Sequence, residues 1–205
     1  MIAIIDYGMG NLRSAQRGLE KVGAKVRVVQ SPRDLSGVRG LVLPGDGAFG
    51  RAIENLRSAG WIEPLCNAAA EGMPFFGICV GMQLLFDSSE EMGQHRGLGL
   101  FAGSVKRFTG NLKVPHMGWN QIRISKTNAD SSLLRGVADG GYCYFVHSYY
   151  CAPQDSSISA ATTDYGIEFA SIVERGNIFG TQFHPEKSQT TGLKILENFV
   201  RISNQ

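Results

Sequence analysis

Gly77-Ile78-Cys79-Val80-Gly81 sets a cysteine between two glycines, after the apolar run Pro74–Ile78 and before Val80–Asp87, whose apolar residues fall at helical spacing. A G-x-nucleophile-x-G pattern at a strand-to-helix turn predicts a nucleophile elbow. The nucleophile of such a turn sits on sharply bent backbone, and the flanking glycines let neighbouring chain close in. The first N–H groups of the following helix have no partner inside it. Together with the positive end of the helix dipole they favour thiolate over thiol. The Val80 N–H is then placed to donate to an oxyanion growing on a substrate carbonyl. Most cysteines are small core residues, and Cys66, Cys143 and Cys151, which lack this context, are read that way.

A nucleophilic thiol needs a base, and the base needs a partner that fixes its tautomer. The histidines are His95, His116, His147 and His184. His184 follows a predicted strand in Gly180-Thr181-Gln182-Phe183-His184-Pro185-Glu186, with a carboxylate two residues on. In an extended segment, residues two apart point the same way, so Glu186 can hold the imidazole. A third piece is Pro44-Gly45-Asp46-Gly47 at the end of another apolar strand. Its glycines permit a peptide orientation that aims an N–H at a carbonyl oxygen; a plain strand-to-helix turn is the other reading. Gly8-Met9-Gly10-Asn11 has half of a phosphate-binding turn and lacks the full glycine pattern.

The elements that must position these groups alternate in the first half. Strands are predicted over Ile2–Asp6, Lys25–Gln30, Gly40–Leu43 and Pro74–Ile78, and helices over Asn11–Val22, Ala48–Ala59, Glu63–Glu71 and Val80–Asp87. That order predicts an α/β fold with a central, mostly parallel sheet flanked by helices. The second half reads as short strands at Ser104–Phe108, Gln121–Ile124, Tyr142–Tyr149, Ile158–Thr162, Phe169–Glu174 and Asn177–Gln182, which adds antiparallel pairing. Gly192–Ile202 is a closing amphipathic helix.

With 205 residues, 43% apolar and 19% charged, the chain predicts one domain over residues 1–205 that needs no disulfide or metal staple. The formal charge is +2 and no block of basic residues occurs, so neither nucleic acid nor a membrane surface is an expected partner. No apolar run reaches membrane-spanning length, MIAIIDYG reads as a strand and not as a leader, and no two cysteines form a C-x-x-C pair. A cytoplasmic chain with free thiols is expected.

The PGDG loop, GICVGMQLLF and TQFHPEKS, in this order and spacing, resemble the class I (triad) glutamine amidotransferases over essentially the whole chain. IIDYGMGNLRS, VPHMGWN and YFVHSYY narrow the resemblance to the glutaminase subunits of imidazole glycerol phosphate synthases. The resemblance implies hydrolysis of L-glutamine by a Cys79–His184–Glu186 triad, with Gly47 and Val80 framing the oxyanion hole. It implies that Gln83, Glu91, His147, Ser148 and Tyr149 bind glutamine. Asn11, Trp119, Tyr144 and Lys187 would face a (β/α)8-barrel cyclase subunit that receives the ammonia for histidine biosynthesis. Trp119 and Tyr144 also suit a core, and Lys187 a solvated surface. No metal or organic cofactor is called for. Asp46 departs from the pattern, standing where an apolar residue is usual, and a carboxylate there is tolerable only if turned away from the oxyanion. Three rivals differ in chemistry or partner: another glutaminase subunit of the same class, such as that of pyridoxal phosphate synthesis, a cysteine hydrolase or stress protein on a related α/β fold, and a nucleotide-binding module built on GMGN.

Overall fold

The apolar runs of the first half form strands that lie side by side in a computed structural model, which describes residues 1–126 and 131–205. In chain order the elements are β1 (Ile2–Ile5), α1 (Leu12–Lys21), β2 (Val26–Val29), β3 (Gly40–Gly45), α2 (Phe49–Ser58), α3 (Ile62–Ala70), β4 (Phe75–Cys79) and α4 (Val80–Leu84). There follow β5 (Phe86–Ser89), β6 (His95–Arg96), β7 (Phe101–Arg107), β8 (His116–Gln121), β9 (Arg123–Ile124), β10 (Tyr142–His147) and β11 (Tyr149–Pro153). The chain continues through β12 (Ser159–Asp164), β13 (Glu168–Arg175), β14 (Ile178–Thr181) and α5 (Gln189–Ile202).

Among the described residues the main sheet has eight strands in the order β2-β1-β3-β4-β14-β13-β12-β9. Pairing is parallel from β2 to β14 and antiparallel beyond it. β1, β3, β4 and β14 are buried along their whole length, as strands covered by helices on both faces must be. The α/β architecture, mostly parallel with antiparallel additions, is therefore the one expected. α1 starts at Asn11, whose side chain accepts the Ser14 N–H at 3.1 Å, an N-cap of the ordinary kind. Its buried stripe, Ala15, Gly18 and Leu19, packs beside α5, which buries Ile195, Leu196 and Phe199.

Three local expectations change. The helix after Cys79 is five residues long and stops at Leu84, because Phe86–Ser89 is taken up by parallel pairing with β7. The expected strand Tyr142–Tyr149 breaks at Ser148 into β10 and β11, which join different sheets. The expected strand Gln121–Ile124 is likewise divided, its first residue ending β8 and Arg123–Ile124 forming β9. Outside the main sheet, β8 and β10 make a two-stranded ribbon and β11-β7-β5-β6 a four-stranded sheet.

What matters for chemistry is that β3, β4 and β14 are parallel neighbours. Their carboxyl ends, carrying the PGDG loop, Cys79 and the approach to His184, open at the same edge. Crevices at the carboxyl ends of parallel strands are where open α/β sheets bind ligands.

Candidate active site

Cys79 ends β4 and caps α4 with φ +57 and ψ −114, a backbone conformation that costs a non-glycine residue about 1–3 kcal/mol and persists only where its surroundings impose it. The imposition is visible. A Cβ on Gly81 would lie 1.8 Å from the Leu43 carbonyl oxygen of β3, and one on Gly77 would lie 2.6 Å from the carbonyl oxygen of Gly81. Both glycines of the elbow are thus required by close backbone approach. With one turn of helix behind it, the thiol gains little from a macrodipole. Local donors remain, among them the first-turn N–H groups, which have no helical acceptor.

His184 lies just past β14, the strand beside β4. Its backbone is held by N–H donation to the Tyr144 carbonyl at 3.1 Å and by the Ser188 hydroxyl, which donates to the His184 carbonyl at 2.6 Å. His-Pro-Glu is not extended as expected. Pro185–Lys187 is a single 3-10 turn with His184 at its N-cap. The turn still brings the side chains together: Nδ1 of His184 lies 2.9 Å from Oε1 of Glu186, both nearly buried. With Nδ1 occupied by the carboxylate, Nε2 faces the Cys79 thiol. Burial opposes protonation of this imidazole, but hydrogen bonds to Cys79 and Glu186, with their charges, outweigh it and lift His184 to about 10. Oε2 of Glu186 is buried without a hydrogen-bond partner. α1 backs this carboxylate so closely that a Cβ on Gly18 would lie 2.8 Å from the Glu186 Cβ.

A cavity of ≈ 260 Å³ opens over the sulfur. It is lined by Cys79 and His184 and by every residue expected to frame the oxyanion or bind substrate: Gly47, Val80, Gln83, Glu91, His147, Ser148 and Tyr149. Oε2 of Glu91 accepts the Phe49 N–H at 2.6 Å, so the carboxylate is fixed at the start of α2. Nε2 of Gln83 donates to the Tyr149 carbonyl and to Oε1 of Gln182, each at 3.1 Å. His147 is buried and donates through Nδ1 to the same carbonyl at 2.8 Å. Its Nε2 lies 3.0 Å from Nδ1 of His116, whose Nε2 is 3.3 Å from Asn120 Nδ2. Desolvation pushes His147 down to about 3 and His116 to about 4, so both are neutral at physiological pH. Pro115 and Val146 complete the wall and were not anticipated, although each lies inside a segment singled out by its sequence. Among the described residues no group of three or more His, Cys, Asp or Glu could hold a metal ion. Among the described residues no helix is long and apolar enough to cross a membrane.

Asp46 lines the mouth of the cavity, yet its carboxylate is engaged elsewhere. Oδ1 accepts the Gly10 N–H at 2.9 Å. The contact resolves the departure noted in the sequence, because the charge is anchored on the β1–α1 loop. It also disfavours a phosphate at GMGN, since a carboxylate already meets that N–H. Asp46→Val is expected to speed hydrogen exchange of the Gly10 amide about tenfold; unchanged exchange would mean the contact carries no weight.

The residues expected at a partner surface are outside the cavity. Trp119 of β8 is 48% exposed and stands directly opposite the half-buried Tyr144 of β10, with ring centroids 5.9 Å apart. Nζ of the exposed Lys187 is 6.0 Å from the Tyr144 ring. With Met117 and Tyr142, also exposed, they form an apolar outer face on the ribbon. Neither aromatic is a core residue. Asn11 is exposed at the start of α1.

The sequence pattern of the glutamine amidotransferase class-I family matches residues 3–202. An imidazole glycerol phosphate synthase subunit HisH from Desulfitobacterium hafniense (strain Y51) is 51% identical, the match covering 100% of this chain and 96% of the relative. The protein of that name from Halobacterium salinarum is 53% identical, covering 97% and 92%. Among solved structures, one described as a glutamine amidotransferase superposes with a TM-score of 0.78 at 17% identity over the whole of both chains. PurLQS from Thermotoga maritima gives 0.77 at 19% identity, covering 98% of this chain and 97% of that one. At such identities the structures speak to the fold.

Proposed function

The chain belongs to the glutamine amidotransferase class-I family, and from that premise we propose that it is the glutaminase subunit of an imidazole glycerol phosphate synthase. Identity of about half over essentially the whole length, to relatives of that name from bacteria and archaea, supports the assignment. The mechanism is read from one juxtaposition: Cys79 at the end of β4 and His184 just past the end of its parallel neighbour β14, with Glu186 on the far nitrogen of the imidazole.

Cys79 attacks the side-chain carboxamide of L-glutamine. The new C–S bond drives electrons onto the amide oxygen, which the N–H groups at Gly47 and Val80 receive. His184, holding a proton through its interactions with Cys79 and Glu186, delivers it to the departing nitrogen, so that ammonia leaves and a glutamyl thioester remains. Water then adds with His184 as base, and glutamate is released. Glu186 keeps Nδ1 protonated and steadies the imidazolium. Gln83 has its NH₂ engaged by protein, so its free amide oxygen is the atom that can accept from the substrate ammonium. Glu91, His147, Ser148 and Tyr149 bound the same pocket.

The outer face of the ribbon, with Trp119, Tyr144 and Lys187, and the Asn11 corner would receive a (β/α)8-barrel cyclase subunit in the cytoplasm. Ammonia would pass across that contact to become part of the imidazole ring. Glutaminase assays with and without the cyclase and its nucleotide ligand test this. The complex with ligand is expected to raise turnover on the order of 10²-fold, the scale of gaining one oxyanion donor, and to change KM much less. An isolated chain already running at the complexed rate would overturn the coupling, and no glutamate from either sample would overturn the assignment.

A further inference from the structure

Behind the cavity the carboxamide of Gln182 lies fully buried between Cys79 and Gln83. Its Nε2 donates to Sγ of Cys79 at 3.8 Å, and its Oε1 accepts from Nε2 of Gln83 at 3.1 Å. A carboxamide can be turned either way about its last bond, but the surroundings permit one orientation here. The Tyr149 carbonyl can only accept, so the Gln83 atom facing it is the NH₂. The two hydrogens of that NH₂ are then used, one on Tyr149 and one on Gln182. The Gln182 atom facing Gln83 must therefore be oxygen, which turns its own NH₂ to the sulfur. The Tyr149 carbonyl is committed as an acceptor a second time by His147 Nδ1. His147 keeps that tautomer because its Nε2 faces Nδ1 of His116, whose own Nε2 meets the Asn120 amide.

We propose that Gln182 is a further catalytic residue, a built-in donor to the Cys79 sulfur whose direction is fixed by Gln83 and the Tyr149 carbonyl. It rests on the reading of Cys79 as nucleophile and supplies what a one-turn helix cannot. A thiolate accepts a hydrogen bond far better than a thiol does, so a fixed N–H stabilises the reactive form. The same donor acts again when the thioester breaks. The electron pair of the C–S bond returns to sulfur, which leaves as thiolate into a waiting N–H.

The test is the pH dependence of Cys79 alkylation by iodoacetamide, without glutamine, followed by mass spectrometry of the Cys79 peptide. Gln182→Met keeps the volume and removes the donor. Gln182→Glu keeps an acceptor for Gln83 and turns an oxygen to the sulfur. The other titratable or charged groups near the sulfur are His184, Cys151, Tyr7, Asp46, Glu91 and His147, and all are retained in both variants. The pH of half-maximal alkylation should rise by about one unit in Gln182→Met, and further in Gln182→Glu. An unchanged midpoint in a folded Gln182→Met protein, with Cys79 still the most reactive thiol, would overturn the role of Gln182 and leave the nucleophile standing. If that variant does not fold, an unchanged midpoint in Gln182→Glu overturns it equally. A wild-type Cys79 no more reactive than Cys66 would overturn the nucleophile and the proposal together.

Discussion

Alanine at position 79 is expected to lower glutamate release from glutamine by at least about 10³-fold, while the fold and the ribbon face persist. No other thiol can substitute. Cys79 is the one cysteine in the cavity lining. Burial raises Cys66, carries Cys143 up to about 12, and holds Cys151 well above its usual range. An electrophilic glutamine analogue should therefore label Cys79 and spare the rest. The elbow adds a stability signature. Alanine keeps the strained φ of +57, whereas glycine accepts it freely. Cys79→Gly should thus unfold at higher urea than Cys79→Ala, with a difference of about 1 kcal/mol. Activity near wild type in the alanine variant would remove Cys79 from the chemistry, and equal unfolding midpoints would remove the strain.

Leucine at position 184 should be costly twice. Turnover loses its proton carrier and falls by at least about 10³-fold. Stability falls as well, because Glu186 Oε2 has no partner and Oε1 would lose His184. Removing one member of a buried pair costs about 3–5 kcal/mol, through the charge left behind. Adding Glu186→Gln should return much of that stability and none of the activity. The pH dependence has a definite sign. The folded imidazole is raised from 6.5 to about 10, so its contribution is complete below about 6.5 and disappears as pH rises through 10. The gap between wild type and His184→Leu should therefore be widest in acid and neutral buffer and narrow in alkali, as chemical denaturation at several pH values would show. A gap independent of pH would mean the imidazole packs without sharing charge.

The groups that could be read from the sequence are those whose geometry is local. A cysteine between glycines on a strand end, and a histidine two residues before a glutamate, bring their own context. So do the β1, β3 and β4 runs, whose apolar residues are continuous because both faces are covered. What could not be read depends on partners far along the chain. Phe86–Ser89 has nothing of its own to show that β7 would claim it. His116–Gln121, with Gly118 and Asn120 inside it, is a poor strand by propensity and exists through pairing with β10. Gln182 was legible in part: it lies two residues before His184, the spacing that puts side chains on one side of extended chain. The polarity of its amide was not, because the Tyr149 carbonyl decides it.

The order of strands in the main sheet governs when the chemistry can begin. β14 is the last strand made, yet it lies in the middle, between β4 and β13. On a ribosome the elbow around Cys79 emerges long before β14, the strand that leads to His184, the base proposed for it. The pairing that unites them is non-local and slow to form. On the mechanism proposed above, a nascent or partly folded chain therefore holds a thiol with no proton carrier beside it and is expected to release no ammonia. Insertion of the central strand would then switch the activity on, and glutaminase activity is expected to report complete folding more stringently than helix content does.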